Sequence, residues 1–194
     1  MAIEWPAALR PTGMTLGVTY NNRSFTSPLS NSQQVVGYPG AYWQCQLSFG
    51  VLTREQERVM TSMLGALQGM AGTVKIPTFT RRGIGDIGAA KVVTASAQSS
   101  LMVINGVTAN AMVFKQGDYI TVADQLFEII SDASSDASGQ VTLSLNKRIR
   151  KLVAPGTAIE YRKPYALMRR MEDSHQISVQ PVIASVTLQF REAF

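Results

Sequence analysis

Residues 43–69 read WQCQLSFGVLTREQERVMTSMLGALQG, and two periods meet within them. Trp43, Cys45, Leu47 and Phe49 alternate with Gln44, Gln46 and Ser48, the pattern of a strand with one face buried. From Thr53 the period lengthens. Thr53 stands at an N-cap position with Gln56 three residues on, and Glu55 and Glu57 suit the positive end of a helix dipole. Val59, Met60, Met63, Leu64 and Leu67 form one apolar stripe, Arg54, Arg58, Thr61, Ser62 and Gln68 lie opposite, and Gly69 offers a left-handed stop. The stretch predicts a strand followed by a capped amphipathic helix, with Trp43, Cys45, Leu47, Phe49, Val59, Met63, Leu64 and Leu67 as core.

Upstream, Trp5-Pro6 and Arg10-Pro11 mark residues 1–13 as an extended arm of the kind that lies on a neighbour. Met14, Leu16, Val18 and Tyr20 alternate as a first strand ended by an Asn21-Asn22 turn. A loop over residues 25–32, a strand at 33–36 and a turn at Pro39-Gly40 then lead into Trp43. Downstream, residues 73–76 read as a short strand, and Gly83, Gly85 and Gly88 mark a linker. Residues 92–161 are all strand and turn, with Asn105-Gly106 among the turn signals, and their spacing argues for a small barrel or sandwich. Val186, Leu188 and Phe190 alternate again, as residues 43–49 do, so the last strand is expected to return to the first sheet. The expected fold is mainly β with one helix, a β-sandwich domain carrying an inserted β-barrel or sandwich module. The expected division is 1–82 plus 176–194 for the first body and 83–175 for the insert, and excising the insert is expected to spare the first body.

Composition excludes more than it assigns. The 194 residues are 45% hydrophobic with mean hydropathy +0.04, enough for a real core without metal or disulfide. No apolar run approaches the roughly 20 residues that span a bilayer, so no membrane partner is expected, and the lone Cys45 implies a reducing, soluble compartment and a core thiol. Gly83-Ile84-Gly85-Asp86-Ile87-Gly88 has the spacing of a dinucleotide fingerprint, but strand rather than helix follows it. Asp132 and Asp136 lack the spacing of a calcium loop and read as a polar hairpin tip. His175 has no second histidine and no nearby cysteine for a metal, and Asp124 and Glu128 make no convincing acid–base pair. No catalytic, cofactor or metal residue is therefore assigned.

The net charge is +5, and its excess is concentrated. Lys147, Arg148, Arg150, Lys151, Arg162, Lys163, Arg169 and Arg170 face only Glu160 between Asn146 and Met171. Nucleic-acid binding would add stacking rings, and only Tyr161 and Tyr165 are interleaved. Lys147, Arg148, Arg150, Lys151, Arg169 and Arg170 are expected to touch acidic groups on neighbouring subunits or a hub rather than DNA.

Several short pieces carry a resemblance. Phe25-Thr26-Ser27-Pro28-Leu29-Ser30, Tyr38-Pro39-Gly40-Ala41-Tyr42-Trp43, Leu64-Gly65-Ala66-Leu67-Gln68-Gly69 and Phe190-Arg191-Glu192-Ala193-Phe194 resemble minor tail proteins of long-tailed, siphovirus-type bacteriophages. Phe114-Lys115-Gln116-Gly117-Asp118-Tyr119-Ile120, Asp136-Ala137-Ser138-Gly139 and residues 145–150 resemble the β module that this group inserts before its final strand. Within it the chain most resembles distal tail proteins. The resemblance implies a homo-oligomeric ring, usually a hexamer, at the virion tail tip, made in the host bacterial cytoplasm. Such a ring joins the tail tube protein to the baseplate hub protein and tail fibres, and DNA passes through it without specific binding. It implies no enzyme activity and no cofactor. The insert is smaller than the galectin-like domain of many relatives. The alternative is a carbohydrate-binding adsorption module using Tyr119, Phe127, Tyr161 or Tyr165.

Overall fold

The computed structural model describes residues 2–81, 83–174, 178–179 and 184–194. Its strands and single helix build a mainly β chain of the expected class. In chain order they are β1 (Ile3–Glu4), β2 (Gly13–Thr26), β3 (Gln33–Leu52), α1 (Arg54–Leu67) and β4 (Val74–Pro77); then β5 (Gly88–Thr94), β6 (Leu101–Val107), β7 (Met112–Phe114), β8 (Tyr119–Val122), β9 (Gln125–Glu128), β10 (Ala133–Ser134), β11 (Val141–Ser144) and β12 (Ile159–Glu160); and finally β13 (Tyr165–Arg170), β14 (Ser178–Val179) and β15 (Ala184–Glu192). One large sheet runs β1-β4-β13-β15-β3-β2, with β14 also on β15. The final strand does return: Phe190 lies opposite Cys45, Leu188 opposite Leu47 and Val186 opposite Phe49, so the inward residues of both strands share one face.

The helix covers that face. Met60, Met63, Leu64 and Leu67 are buried, whereas Val59 is only half-buried and packs on the margin of the core. The cap forms as its residues predict. Thr53 Oγ1 accepts the Gln56 N–H at 3.3 Å, and Gln56 Oε1 accepts the Thr53 N–H at 3.0 Å. Gln56 also donates through Nε2 to the Ala8 carbonyl at 3.2 Å, tying the N-terminal arm to the helix start. At the other end the left-handed conformation begins at Gln68, one residue before the expected Gly69, which is also left-handed. Thr53→Ala should lower unfolding free energy by about 1 kcal/mol, measured by denaturant titration.

Two N-terminal expectations are corrected. The arm packs on its own chain: Ile3 pairs in parallel with Val74, the Trp5 indole N–H donates to the Leu9 carbonyl at 2.7 Å, and the Trp5 ring stacks on Phe49. Nor do Asn21-Asn22 and Pro39-Gly40 make turns. Both strands run straight through these signals, and the extra residues opposite Tyr20 are absorbed as a bulge in which Gly40 takes a φ of +124°. That conformation is open to glycine and costly for side-chain-bearing residues. The result is one long hairpin whose ends meet at residues 27–32.

Residues 84–161 build a second body with its own hydrophobic cluster, centred on residues such as Met102, Ile104, Phe114, Phe127 and Leu143. Its two three-stranded sheets, β11-β6-β5 and β12-β8-β9, are joined by bridges at Lys91–Ala158 and Ile129–Leu145, which close the six strands into a small barrel. Asn105-Gly106 is no turn; β6 continues through it. The chain enters and leaves the barrel along adjacent paths, with the Thr78 N–H donating to the Pro164 carbonyl at 3.0 Å. The return therefore falls near Pro164, about ten residues before the expected boundary at 175/176. Ala166 and Met168 fill the large sheet's core and pair with Ile76 and Val74, so the strand hidden in the basic tract belongs to the sheet.

Candidate functional site

Two places stand out: the seam between sheet and barrel, and the long hairpin. At the seam the β8–β9 hairpin serves both cores. Alternation sends Ile120, Val122 and Phe127 into the barrel, while Tyr119 and Leu126 are buried in the sheet's core. Trp43 meets Tyr119 edge-on at 5.8 Å, and its indole N–H donates to the Leu126 carbonyl at 2.8 Å. Beside it, the Lys147 ammonium pairs with Glu192 Oε1, and Glu192 Oε2 accepts the Trp43 backbone N–H at 3.0 Å. Both side chains are almost wholly buried, at 1% and 3% exposure. Burial pushes the Lys147 ammonium down to about 8, against the opposing pull of Glu192. Arg150 closes the seam, donating to the Ala41 carbonyl at 2.5 Å with its guanidinium 3.5 Å from the centre of the Phe194 ring.

This geometry corrects the basic-face expectation. Lys147 and Arg170 are buried in their own chain, the latter donating to the Ser174 carbonyl at 2.8 Å, and Arg150 is half-buried and engaged. Arg148, Lys151 and Arg169 are exposed. A charge-reversing change at Arg150 would thus break contacts within the chain. Nothing in the spacing of Lys147 announced its burial, because its carboxylate arrives 45 residues later.

Beyond the bulge, the β2–β3 hairpin leaves the body of the protein as a two-stranded ribbon over residues 21–38, nearly all of them exposed. Phe25 is 56% exposed, Val35 60% and Leu29, at the tip, 98%. Arg23 is its only charged side chain. Exposed strand pairs are ordinarily guarded by lysines, prolines or twisting bulges against pairing with other chains; this ribbon carries a proline only at its tip. β2 is moreover the last strand of the sheet, with its outer edge unpaired among the described residues. At the root, the Tyr20 hydroxyl donates to the Asn146 carbonyl at 3.1 Å, anchoring the ribbon to the barrel.

Other expected features resolve locally. Cys45 is buried, and burial pushes its thiol up to about 12, which leaves no thiolate for chemistry near neutrality. Asp136 Oδ1 accepts from the backbone of Ser138 and Gln140 and from the Ser138 hydroxyl, the work of a turn. Asp124 accepts the Tyr165 hydroxyl and Glu128 pairs with Arg81. Tyr119, Phe127 and Tyr161 are buried and Tyr165 is half-buried, so the rings expected to stack on sugars face inward. His175 lies outside the described residues. Among the described residues no group of three or more metal-binding side chains converges, and no helix is long and apolar enough to cross a membrane. Compared with known proteins, the chain matches no family model, and no curated protein is significantly similar to it.

Proposed function

We propose that this chain is a structural subunit of a bacteriophage tail tip, assembling with copies of itself into a ring that joins the tail tube to the hub and fibres and leaves a passage for DNA. The observation that carries the reading is the ribbon. An almost uncharged strand pair that exposes Phe25, Leu29 and Val35 beside an open edge is a hazard on a monomer and a contact surface in an assembly. A closed ring satisfies such an edge by giving every ribbon a neighbour and leaving none over. The resemblance noted above supplies the location in the virion. The sugar-binding alternative has no exposed ring of those named to support it.

The pair Phe25→Lys and Val35→Lys should leave each subunit folded, because neither side chain enters the core, and should abolish ring formation. Electron micrographs of purified protein and light scattering at high concentration measure this. A strict monomer before substitution, with imaging of the parent virion placing the protein away from the tail tip, would sink the proposal.

A further inference from the structure

The large sheet has β2 at one edge and β1 at the other. Two β2 edges laid side by side would form a self-complementary pair, which closes at two copies and leaves no strand for a third. A larger ring requires the ribbon to meet a different surface of its neighbour. The opposite edge offers no strand of matching length, since β1 has 2 residues against the 14 of β2. It offers a groove instead. Beside β1, between the N-terminal arm and the outward side of α1, lies a concavity of about 600 Å³. Met63 is its buried floor, and half-buried Ile3, Pro6 and Val59 form its walls. Val59, Met63 and Ala66 fall in line along the helix at spacings of four and three, and the small side chains of Ser62 and Ala66 keep that line open.

The other concavities have the wrong chemistry for an uncharged ribbon. One, between the arm and the crossings, holds Arg10 and Lys163; one on the barrel holds Lys91 and Glu160; one on the sheet's outer face is lined by the amides of Gln44, Gln46 and Gln189. Covering those groups with apolar side chains would take them from water without a partner. The ribbon's own pattern fits the helix groove. Residues opposite each other across the two strands share a face, so Phe25, Gln34, Arg23 and Val36 project together. Arg23, the ribbon's only charge, has no ion-pair partner among the described residues, and neither has Glu55 at the rim of the groove. We propose that the ribbon of one copy seats this face in the α1–β1 groove of a second copy, with Phe25 and Val36 over Met63 and Val59 and with Arg23 beside Glu55. The contact rests on the ring reading above and gives the ring a direction, each copy using its ribbon at one edge and its groove at the other.

Ser62→Lys together with Ala66→Lys places two cations in the groove, at exposed helix positions that lysine suits. This groove variant should keep the parent's unfolding midpoint and be monomeric by light scattering, as should the ribbon variant carrying Phe25→Lys and Val35→Lys. Mixed in equal amounts, the two should form dimers and nothing larger, because one sound ribbon and one sound groove remain between them. Independently, a chain with Gln34→Cys and a chain with Ala66→Cys should be joined by a short bismaleimide when mixed, and neither should be joined to itself; Cys45 is buried and stays unreactive. Assembly of the groove variant like the parent, a mixture that stays monomeric, or cross-linking of Gln34→Cys chains to one another would overturn the docking and leave the ring standing. A parent chain that remains monomeric would overturn both.

Discussion

A chain from which residues 83–164 are excised, its ends rejoined by a short flexible linker, should fail to fold. Contiguous in sequence and provided with its own core, the barrel looks removable. Yet Tyr119 and Leu126 belong to the sheet's core, and their loss uncovers Trp43, which is 2% exposed in the intact protein. The Trp43 indole N–H would exchange the Leu126 carbonyl for water, a net loss of about 0.5–1.5 kcal/mol. Glu192 would lose the Lys147 ammonium and turn to solvent. The larger loss is the apolar surface laid bare at the seam, about 1.5–3 kcal/mol for each large side chain, against a whole stability of about 5–15 kcal/mol for an ordinary domain. The excised chain should show no near-ultraviolet circular dichroism and no cooperative melt. A sharp, reversible melt would mean that the two bodies are independent after all, as their separation in the sequence suggests.

The second large effect should come from Lys147. Lys147→Met removes the cation and leaves Glu192 charged in the interior, a loss of about 3–5 kcal/mol. Adding Glu192→Gln removes that charge while keeping an acceptor for the Trp43 N–H, so the double variant should regain most of the loss. The pH dependence has a definite sign. In the folded protein burial lowers the Lys147 ammonium to about 8, against its ordinary 10.5. Between those values the unfolded chain binds more protons than the folded one, so the contribution of Lys147 to stability rises with pH across that window and is flat below it. Arg150 adds to the lowering. Denaturant titrations from pH 7 to 10.5 should show a steeper rise, or a shallower fall, for the parent than for the double variant. Parallel curves would remove Lys147 from the account.

How far the sequence could be read depended on the reach of each interaction. The capping box at Thr53 and Gln56, the alternation from Trp43 to Phe49 and the short strands at Tyr119 and Val141 are local patterns, and each formed where expected. Asn21-Asn22, Pro39-Gly40 and Asn105-Gly106 are local as well, but a bulge within a strand and a turn between strands use the same residues. Cross-strand pairing over the whole length of β2 and β3 settled that choice. The strand from Tyr165 to Arg170 was concealed by its charges, because Arg170 points inward beside Met168 and Ala166. The seam was illegible for a different reason. Lys147 meets Glu192 and Trp43 meets Leu126 only through the path of the backbone. The ribbon lay between: its lack of charge is plain in the sequence, and its projection from the body is not.

β15 sits between β13 and β3, near the middle of the sheet. On the ribosome the barrel strands, complete by Glu160, emerge before it and can close upon themselves. The half-sheet made from the preceding residues must wait with the seat for Phe190 and Leu188 vacant. Until residues 184–192 emerge, β3 offers the solvent a bare row of amides flanked by apolar side chains. Synthesis that stalls in this interval should yield a nascent chain that needs chaperoning despite an already folded barrel.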